Sequence, residues 1–388
     1  MKILYVQTIR LDEHTCKTSR LEMIERLAAF GADVTFVAGY GRRAGLPSPT
    51  YRLVLVPFAP VPVLGHLLFN LRVQARVLGL LARERFDHVI LDPYTFHCAF
   101  PLDLAARLGL CRTRVVLDVR SGIFHRRVRP VSDRLGRALI RVALAYARRV
   151  FSGFTTISPM LRERLAREHG IPPGRIGIWQ SGVSLGRFDP SRVSAGRGAG
   201  LAGKFVVMHH GTLGLDRGLP ETVEAMRLLR PSYPDIVLYL LGDGSEEGRL
   251  RTLVRTHGLD NVRFAPTVDH EQVPVHIQGC DVGILPLLPT PVMRSSSPLK
   301  LLEYLAMEKP VIVSRIEAFT EVLAGYPGAV FLDAVTPEAI ARAIETAYRE
   351  RRALSRAAVG GRRLVKERFT WERQAEEFWR FLAGGSQE

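Results

Sequence analysis

The sequence predicts an α/β protein built from two Rossmann-like domains in tandem. Three observations predict it. Short apolar strands alternate with amphipathic helices through most of the 388 residues, the signature of βαβ units and parallel sheets. The alternation runs in two series, and residues 191–203 (SRVSAGRGAGLAG) between them have linker composition. A 47% hydrophobic composition is enough to give both domains full cores.

The first series opens with MKILYVQ, a buried strand too short for a signal peptide. Residues 19–30 (SRLEMIERLAAF) have helical spacing at Leu21, Ile24, Leu27 and Ala28, and Gly31 caps them. Val34-Thr35-Phe36-Val37 is the next strand. The polar loop 9–18 therefore lies at the carboxyl end of the first strand, where open α/β sheets bind ligands. A strand at 51–56 leads to residues 61–85, an apolar helix studded with Arg72, Arg76, Arg83 and Arg85. Strands at 88–91 and 115–117 each end in a polar cluster. Residues 124–150 carry eight arginines and one histidine against Asp133, with helical spacing at Leu135, Leu139, Val142 and Tyr146. A strand at 154–158, a helix from Pro159 to His169 and a strand at 176–180 complete the series.

The second series places strands at 205–208, 236–241, 262–264 and 282–285, with helices at 219–229, 246–257 and 273–279 between them. It ends in RSSSPLKLLEYLAMEKPVIVS, residues 294–314, where three serines lead into Pro298 and an apolar stripe follows at Leu299, Leu302, Leu305 and Ala306. Proline at the first helical position after a serine cap starts the helix, and Val311-Ile312-Val313 is the strand after it. The free N–H groups of such a helix start, with the positive end of its dipole, hold anions. Lys300 adds a full positive charge in the first turn, where a cation is otherwise unfavourable, so a negative ligand is expected there. Glu303, one turn on and beside Lys300 on the helix surface, is placed to accept hydrogen bonds from ribose hydroxyls. The plainer alternative is a surface helix carrying an i,i+3 ion pair.

His209-His210-Gly211-Thr212 follows a strand and precedes a helix, so its loop stands at the same sheet edge. Gly211 lets a phosphate approach the backbone, and Arg217, just before Gly218, points into that loop. Lys300 and Arg217 would flank a diphosphate. At ~4 Å and an effective dielectric near 20, each such contact is worth on the order of 4 kcal/mol before desolvation. No Asp-x-Asp pair occurs in the chain, so no divalent ion is expected on the diphosphate. Gly242-Asp243-Gly244 ends another strand at this edge, as a turn or as part of the ligand loop.

Charge is divided unevenly. Net charge is +16, of which residues 1–185 hold +15 and the rest +1. A codon bias toward arginine would affect both halves, so the asymmetry points to an anionic surface or partner for the first half. Arginines interrupt every apolar run before the ~18 residues that span a bilayer. Cys16, Cys98, Cys111 and Cys280 have neither metal-ligand nor disulfide spacing, so reduced thiols in a cytosolic protein are expected.

HHGTLGLDRGLPETVEAM, LLGDGSEEGRL, NVRFAPTVDHEQVP, DVGILPL and SSPLKLLEYLAMEKPVIVS, in this order, resemble the C-terminal half of family 4 glycosyltransferases. TTISPMLRERLAREHGIPPGRIGIWQSGVSLGRFDP is similar to the end of their N-terminal domain. The resemblance is strong over about residues 150–325 and thin over 1–130. It implies the GT-B fold: two Rossmann-like domains facing a central cleft, residues 1–190 and 191–365, and a C-terminal helix in 366–388 crossing back to the first. It implies transfer of a sugar from a nucleotide donor, with retention of configuration and without a metal or other cofactor. Lys300 then looks like the diphosphate lysine, Glu303 like the ribose carboxylate and Arg217 like the second diphosphate cation. Gly211, Thr212, Gly242, Ser296, Ser297 and Leu299 form the donor loops. A second family glutamate is Ser295 here, and the arginine after the first glycine is Thr212. The glycine-rich loop after the first strand is replaced by residues 12–19, which leaves the acceptor side open. His14, Lys17, Asp118, Arg120 and His125 are its candidates.

The resulting expectation is a cytoplasmic, retaining glycosyltransferase, peripheral on the inner membrane face, which extends a lipid-linked or cell-envelope glycan. A non-hydrolysing nucleotide-sugar epimerase shares the fold but needs carboxylate bases around the sugar, and Ser295 removes one. A basic nucleic-acid-binding protein would interleave aromatics with its arginines, whereas residues 124–150 offer only Phe124 and Tyr146.

Overall fold

The computed structural model describes residues 1–11, 18–41, 50–59, 64–120, 130–194 and 201–384. The chain divides into two compact units, Met1–Gln180 with Trp371–Glu388, and Ser181–Thr370.

In the first unit seven strands form one parallel sheet: β1 (Lys2–Arg10), β2 (Asp33–Tyr40), β3 (Arg52–Pro57), β4 (His88–Leu91), β5 (Arg114–Val119), β6 (Gly153–Thr156) and β7 (Ile176–Ile178). The order β3-β2-β1-β4-β5-β6-β7 reverses between β1 and β4, which makes the sheet doubly wound with its crevice beyond those strand ends. Its helices are α1 (Thr18–Ala29), α2 (Leu64–Leu81), α3 (Phe100–Arg107), α4 (Pro130–Val150) and α5 (Pro159–His169). One face is covered by α2, α3 and α4 together. Phe69, Val73, Leu102, Ile140 and Leu144 from these helices join Leu4, Val89 and Leu117 of the strands in a single core.

The second unit repeats the pattern with β8 (Phe205–His210), β9 (Ile236–Leu241), β10 (Val262–Ala265), β11 (Val282–Leu285), β12 (Val311–Ser314) and β13 (Ala329–Leu332). The order is β10-β9-β8-β11-β12-β13, again all parallel. Helices α6 (Leu219–Leu229), α7 (Glu247–Thr256), α8 (Val273–Gln278), α9 (Pro291–Arg294), α10 (Leu299–Ala306), α11 (Glu317–Thr320), α12 (Pro337–Arg349), α13 (Arg351–Ala358) and α14 (Gly360–Arg368) cover it. Two apolar cores, one on each face, enclose the strands.

The last helix, α15 (Trp371–Leu382), packs on the first unit. Phe378 stacks on Trp179 with centroids 5.5 Å apart, Trp379 meets Phe30 edge-on at 6.5 Å, and Glu372 pairs with Arg26 at 2.9 Å.

The first unit ends at Gln180 because the next residues pack on the second. Val183 and Phe188 lie in the core of the second unit, the Val183 N–H donates to the Phe369 carbonyl at 2.9 Å, and Arg362 donates to the Leu185 carbonyl at 3.0 Å. Residues 195–200 of the linker-like stretch lie outside the described residues. No described helix is long and apolar enough to cross a membrane. Cys98, Cys111 and Cys280 form no disulfide among the described residues, and Cys16 lies outside them.

Candidate functional site

Three loops at the carboxyl edge of the second sheet come together. After β8, Gly211 takes φ +83°, a left-handed conformation that glycine tolerates and other residues resist. Its N–H donates to the Leu241 carbonyl at 2.7 Å, and the Leu213 N–H donates to the Asp243 carbonyl at 2.7 Å. The loops after β8 and β9 are therefore bonded to each other. Gly242, at φ +131°, allows that contact: a Cβ there would stand 2.3 Å from the Gly211 carbonyl oxygen. The Gly242-Asp243-Gly244 turn is the wall behind Gly211.

The third element is α10, and here the structure corrects the sequence reading. Helix α10 starts at Leu299 with Pro298 at the cap position and no side-chain cap. The serines before it bond elsewhere, two to the preceding turn and one across the unit. Ser297 Oγ accepts from the Ser181 N–H at 2.6 Å, Ser296 Oγ donates to the Met293 carbonyl at 2.8 Å, and Ser295 Oγ donates to the Pro291 carbonyl at 2.8 Å. The N–H groups of the first turn of α10 are thus left without a side-chain cap, which is the condition for anion binding.

Lys300 stands over Gly211. A Cβ on Gly211 would lie 2.7 Å from Lys300 Cε and 3.0 Å from Nζ. The stem is partly exposed, but Nζ is buried and has no hydrogen-bond partner among the described residues. Burial, with Arg217 adding repulsion against the attraction of Glu303, lowers its pKa from 10.5 to about 7. Arg217 lies at the end of a 3₁₀ turn and donates to Met293 Sδ at 3.3 Å. Arg217 is near enough to Lys300 for the two cations to repel each other.

Glu303 does not form the surface ion pair with Lys300 that was the plainer alternative. It is 2% exposed, and its carboxylate sits between two histidines. Oε1 accepts from His270 Nε2 at 2.7 Å, and Oε2 lies 3.4 Å from His210 Nε2. Burial alone would raise its pKa; the His270 hydrogen bond, with His210 and Lys300 nearby, brings it below the usual carboxylate range. Burial and Lys300 outweigh Glu303 at His210, whose pKa falls to about 3, so that ring is neutral. His209, on the other side of β8, donates from Nδ1 to the Ile284 carbonyl at 3.1 Å. Sequence reasoning missed His270 and His210, although HHG and VDHEQVP were both in view.

The structure brings Gly211, Lys300 and Gly242 together and places Arg217 and Glu303 within electrostatic reach of Lys300. Thr212 and Leu299 are half-buried beside them in sequence. In the first unit, Asp118 is buried at the end of β5 and accepts from Tyr5 Oη, Gln7 Nε2 and Thr155 Oγ1 at 2.8, 3.1 and 2.9 Å. Arg120 lies flat on Trp179, 3.3 Å from the ring centroid. His14, Lys17 and His125 lie outside the described residues.

Solved structures share this architecture. The Anabaena protein HepE in complex with UDP and glucose superposes with a TM-score of 0.74 over 99% of each chain at 17% identity. WaaG, a glycosyltransferase involved in lipopolysaccharide biosynthesis, gives 0.73 over 99% of this chain and 100% of its own at 13% identity. Two doubly wound parallel units of this kind define the GT-B class. Residues 18–187 match the model "Glycosyltransferase Family 4", and residues 199–363 match "Glycosyl transferases group 1". The chain belongs to glycosyltransferase family 4. Among curated relatives, the GDP-mannose-dependent alpha-(1-6)-phosphatidylinositol dimannoside mannosyltransferase of Mycobacterium tuberculosis is 30% identical over 199 residues, 50% of this chain and 48% of that protein. The D-inositol 3-phosphate glycosyltransferase of Pseudarthrobacter chlorophenolicus is 32% identical over 159 residues, 39% of this chain and 37% of its own. The chain thus spans about half the length, or less, of the curated relatives it matches.

Proposed function

We propose that this chain transfers a sugar from a nucleoside-diphosphate donor to a lipid-linked or cell-envelope glycan, with retention of configuration and without a metal. The observation that carries the reading is the buried Lys300 ammonium, held over Gly211 at the uncapped start of α10 without an acceptor among the described residues. A diphosphate supplies the missing acceptor. Lys300 and Arg217 neutralise the charge that grows on it as its bond to the anomeric carbon breaks. The acceptor oxygen forms its bond on the same face, and its proton passes to the departing diphosphate. Glu303 takes the ribose hydroxyls and fixes the donor along the sheet edge.

A thermal-shift screen over nucleoside diphosphates, followed by calorimetry, tests the donor half. At least one diphosphate should raise the melting temperature of the wild-type protein, and Lys300→Met should abolish that shift. Equal shifts in both proteins would overturn the assignment.

The acceptor half is supported by the activity for which the mannosyltransferase relative is named and by the surface of the first unit. Outward from the shared core of α2, α3 and α4 stand Leu67 and Leu71 (57% and 59% exposed), Leu104 and Leu108 (61% and 64%) and Val142 (56%). Arg72, Arg76 and Arg141 are exposed on α2 and α4. Apolar side chains ringed by arginine suit an anionic lipid face, where each basic residue contributes about 1 kcal/mol. Co-sedimentation should require anionic vesicles, and the double variant Leu104→Gln/Leu108→Gln should weaken it. Equal recovery on neutral vesicles would point instead to an acidic acceptor.

A further inference from the structure

Glu303 is more tightly held than a simple ribose contact requires, and what holds it comes from outside α10. His270 lies in the loop between β10 and α8, and its Nε2 is 2.7 Å from Glu303 Oε1. On the other side of the ring, Arg187 Nη1 reaches His270 Nδ1 at 3.4 Å, and Arg187 Nη2 pairs with Glu271 at 3.4 Å. A guanidinium only donates, so Nδ1 is the acceptor and the ring proton is on Nε2, directed at Glu303. Phe188 packs against the same ring with centroids 5.4 Å apart. Arg187 and Phe188 belong to the segment that opens the second unit, the one tied to α10 through Ser181 and Ser297.

A carboxylate has about four acceptor positions on its two oxygens. His270 occupies one, and His210 approaches the other oxygen at 3.4 Å without a formed hydrogen bond. The remaining positions suffice for the two hydroxyls of a ribose. Fixing Oε1 from behind removes the free rotation that a glutamate loses on binding, so the ribose hydroxyls meet an oriented carboxylate.

From this geometry we infer that His270, itself oriented by Arg187, is the positioning residue that makes Glu303 a ribose-selective acceptor. The inference rests on the reading of Glu303 as the ribose carboxylate. His270 does not touch the donor; it sets the direction of the group that does.

The test compares GDP, UDP and ADP with their 2′,3′-dideoxy counterparts by calorimetry on the full chain. Wild type should prefer the ribose form of whichever diphosphate it binds by about tenfold or more, the range of hydrogen bonds to a charged group. His270→Phe keeps the ring against Phe188 but removes the donor, and its preference should fall below about threefold. His270→Gln, which can donate from its amide to Oε1, should recover most of the preference. Far-UV circular dichroism and the melting temperature establish that both variants are folded. A ribose preference in His270→Phe equal to wild type would overturn the inference. No ribose preference in the wild type would instead overturn the Glu303 assignment beneath it, so the two failures are distinct. A loss of affinity that is equal for ribose and dideoxy forms, and that Gln does not rescue, would reduce His270 to a structural role.

Discussion

Replacing Lys300 by methionine should make the empty protein more stable and its nucleotide binding worse. The ammonium is buried over Gly211 without a hydrogen-bond partner among the described residues, and its pKa falls from 10.5 to about 7. At 1.36 kcal/mol per pKa unit this corresponds to about 4–5 kcal/mol, which partial exposure and screening reduce to about 1–3 kcal/mol. The sign follows from proton counting. Between pH 7 and 10 the unfolded lysine holds its proton and the folded one has largely lost it, so wild-type stability rises with pH through that window. Methionine has no proton to lose. Its advantage should be full at pH 6 to 7 and vanish by about pH 10. For a unit of this size the gain at pH 6 corresponds to a few degrees in melting temperature. Nucleoside-diphosphate affinity should fall by about 1.5–3 kcal/mol in the same variant, the scale of a charged hydrogen bond. Thermal melts at pH 6, 8 and 9.5 with calorimetry at pH 7 measure both. A variant less stable than wild type at pH 6, or an advantage independent of pH, would refute the buried-ammonium account.

The remaining predictions concern the same loops. Wild-type affinity for a nucleoside diphosphate should drop by up to about tenfold from pH 7 to pH 8 as Lys300 loses its proton, and Lys300→Arg, always charged, should flatten that drop. Calorimetry in buffers of different ionisation enthalpy should register proton uptake on binding at pH 8 in the wild type only. Glu303→Ala should weaken nucleotide binding by about 1.5–3 kcal/mol; unchanged affinity in a folded variant would remove the ribose role. Gly211→Ala forces φ +83° on a residue with a Cβ and drives that atom to 2.7 Å from Lys300 Cε, so diphosphate affinity should fall in titrations even if the melting temperature barely moves. Transfer rates should survive a chelator, and a loss restored by manganese would contradict the metal-free reading.

Much of the fold was legible because its signals are local. The strands His88–Leu91, Ile236–Leu241 and Val282–Leu285, and the helices Pro159–His169 and Leu219–Leu229, fall where periodicity and breakers put them. Helix α3 escaped notice because it is only eight residues long and its apolar side chains do not all point inward, Leu104 being 61% exposed. Of the elements after β12 only the C-terminal helix was read, through the family resemblance. The candidate loops were legible at Gly211 and Lys300, since a glycine after a strand and a lysine in a first helical turn are chain-local features. Their depth was not. That Glu303 is buried between His210 and His270 depends on residues distant in sequence meeting across three loops, for which spacing carries no signal. The serines of 295–297 look like a cap in sequence, but Ser295 and Ser296 bond back to the preceding turn and Ser297 bonds to Ser181, a partner more than a hundred residues away.

The return of α15 to the first unit has a consequence for how the protein comes off the ribosome. The second unit is one unbroken stretch, Ser181–Thr370, and can close as soon as it is made. The first cannot, because Phe378 and Trp379, which pack on Trp179 and Phe30, are translated only after the whole of the second unit. Until then a sheet whose seven strands are all made waits with the aromatic surface around Trp179 and Phe30 open to water, the state most open to aggregation or to chaperones. A fragment ending at Gln180 should therefore be poorly soluble by itself and should be rescued by a peptide carrying the Trp371–Leu382 sequence.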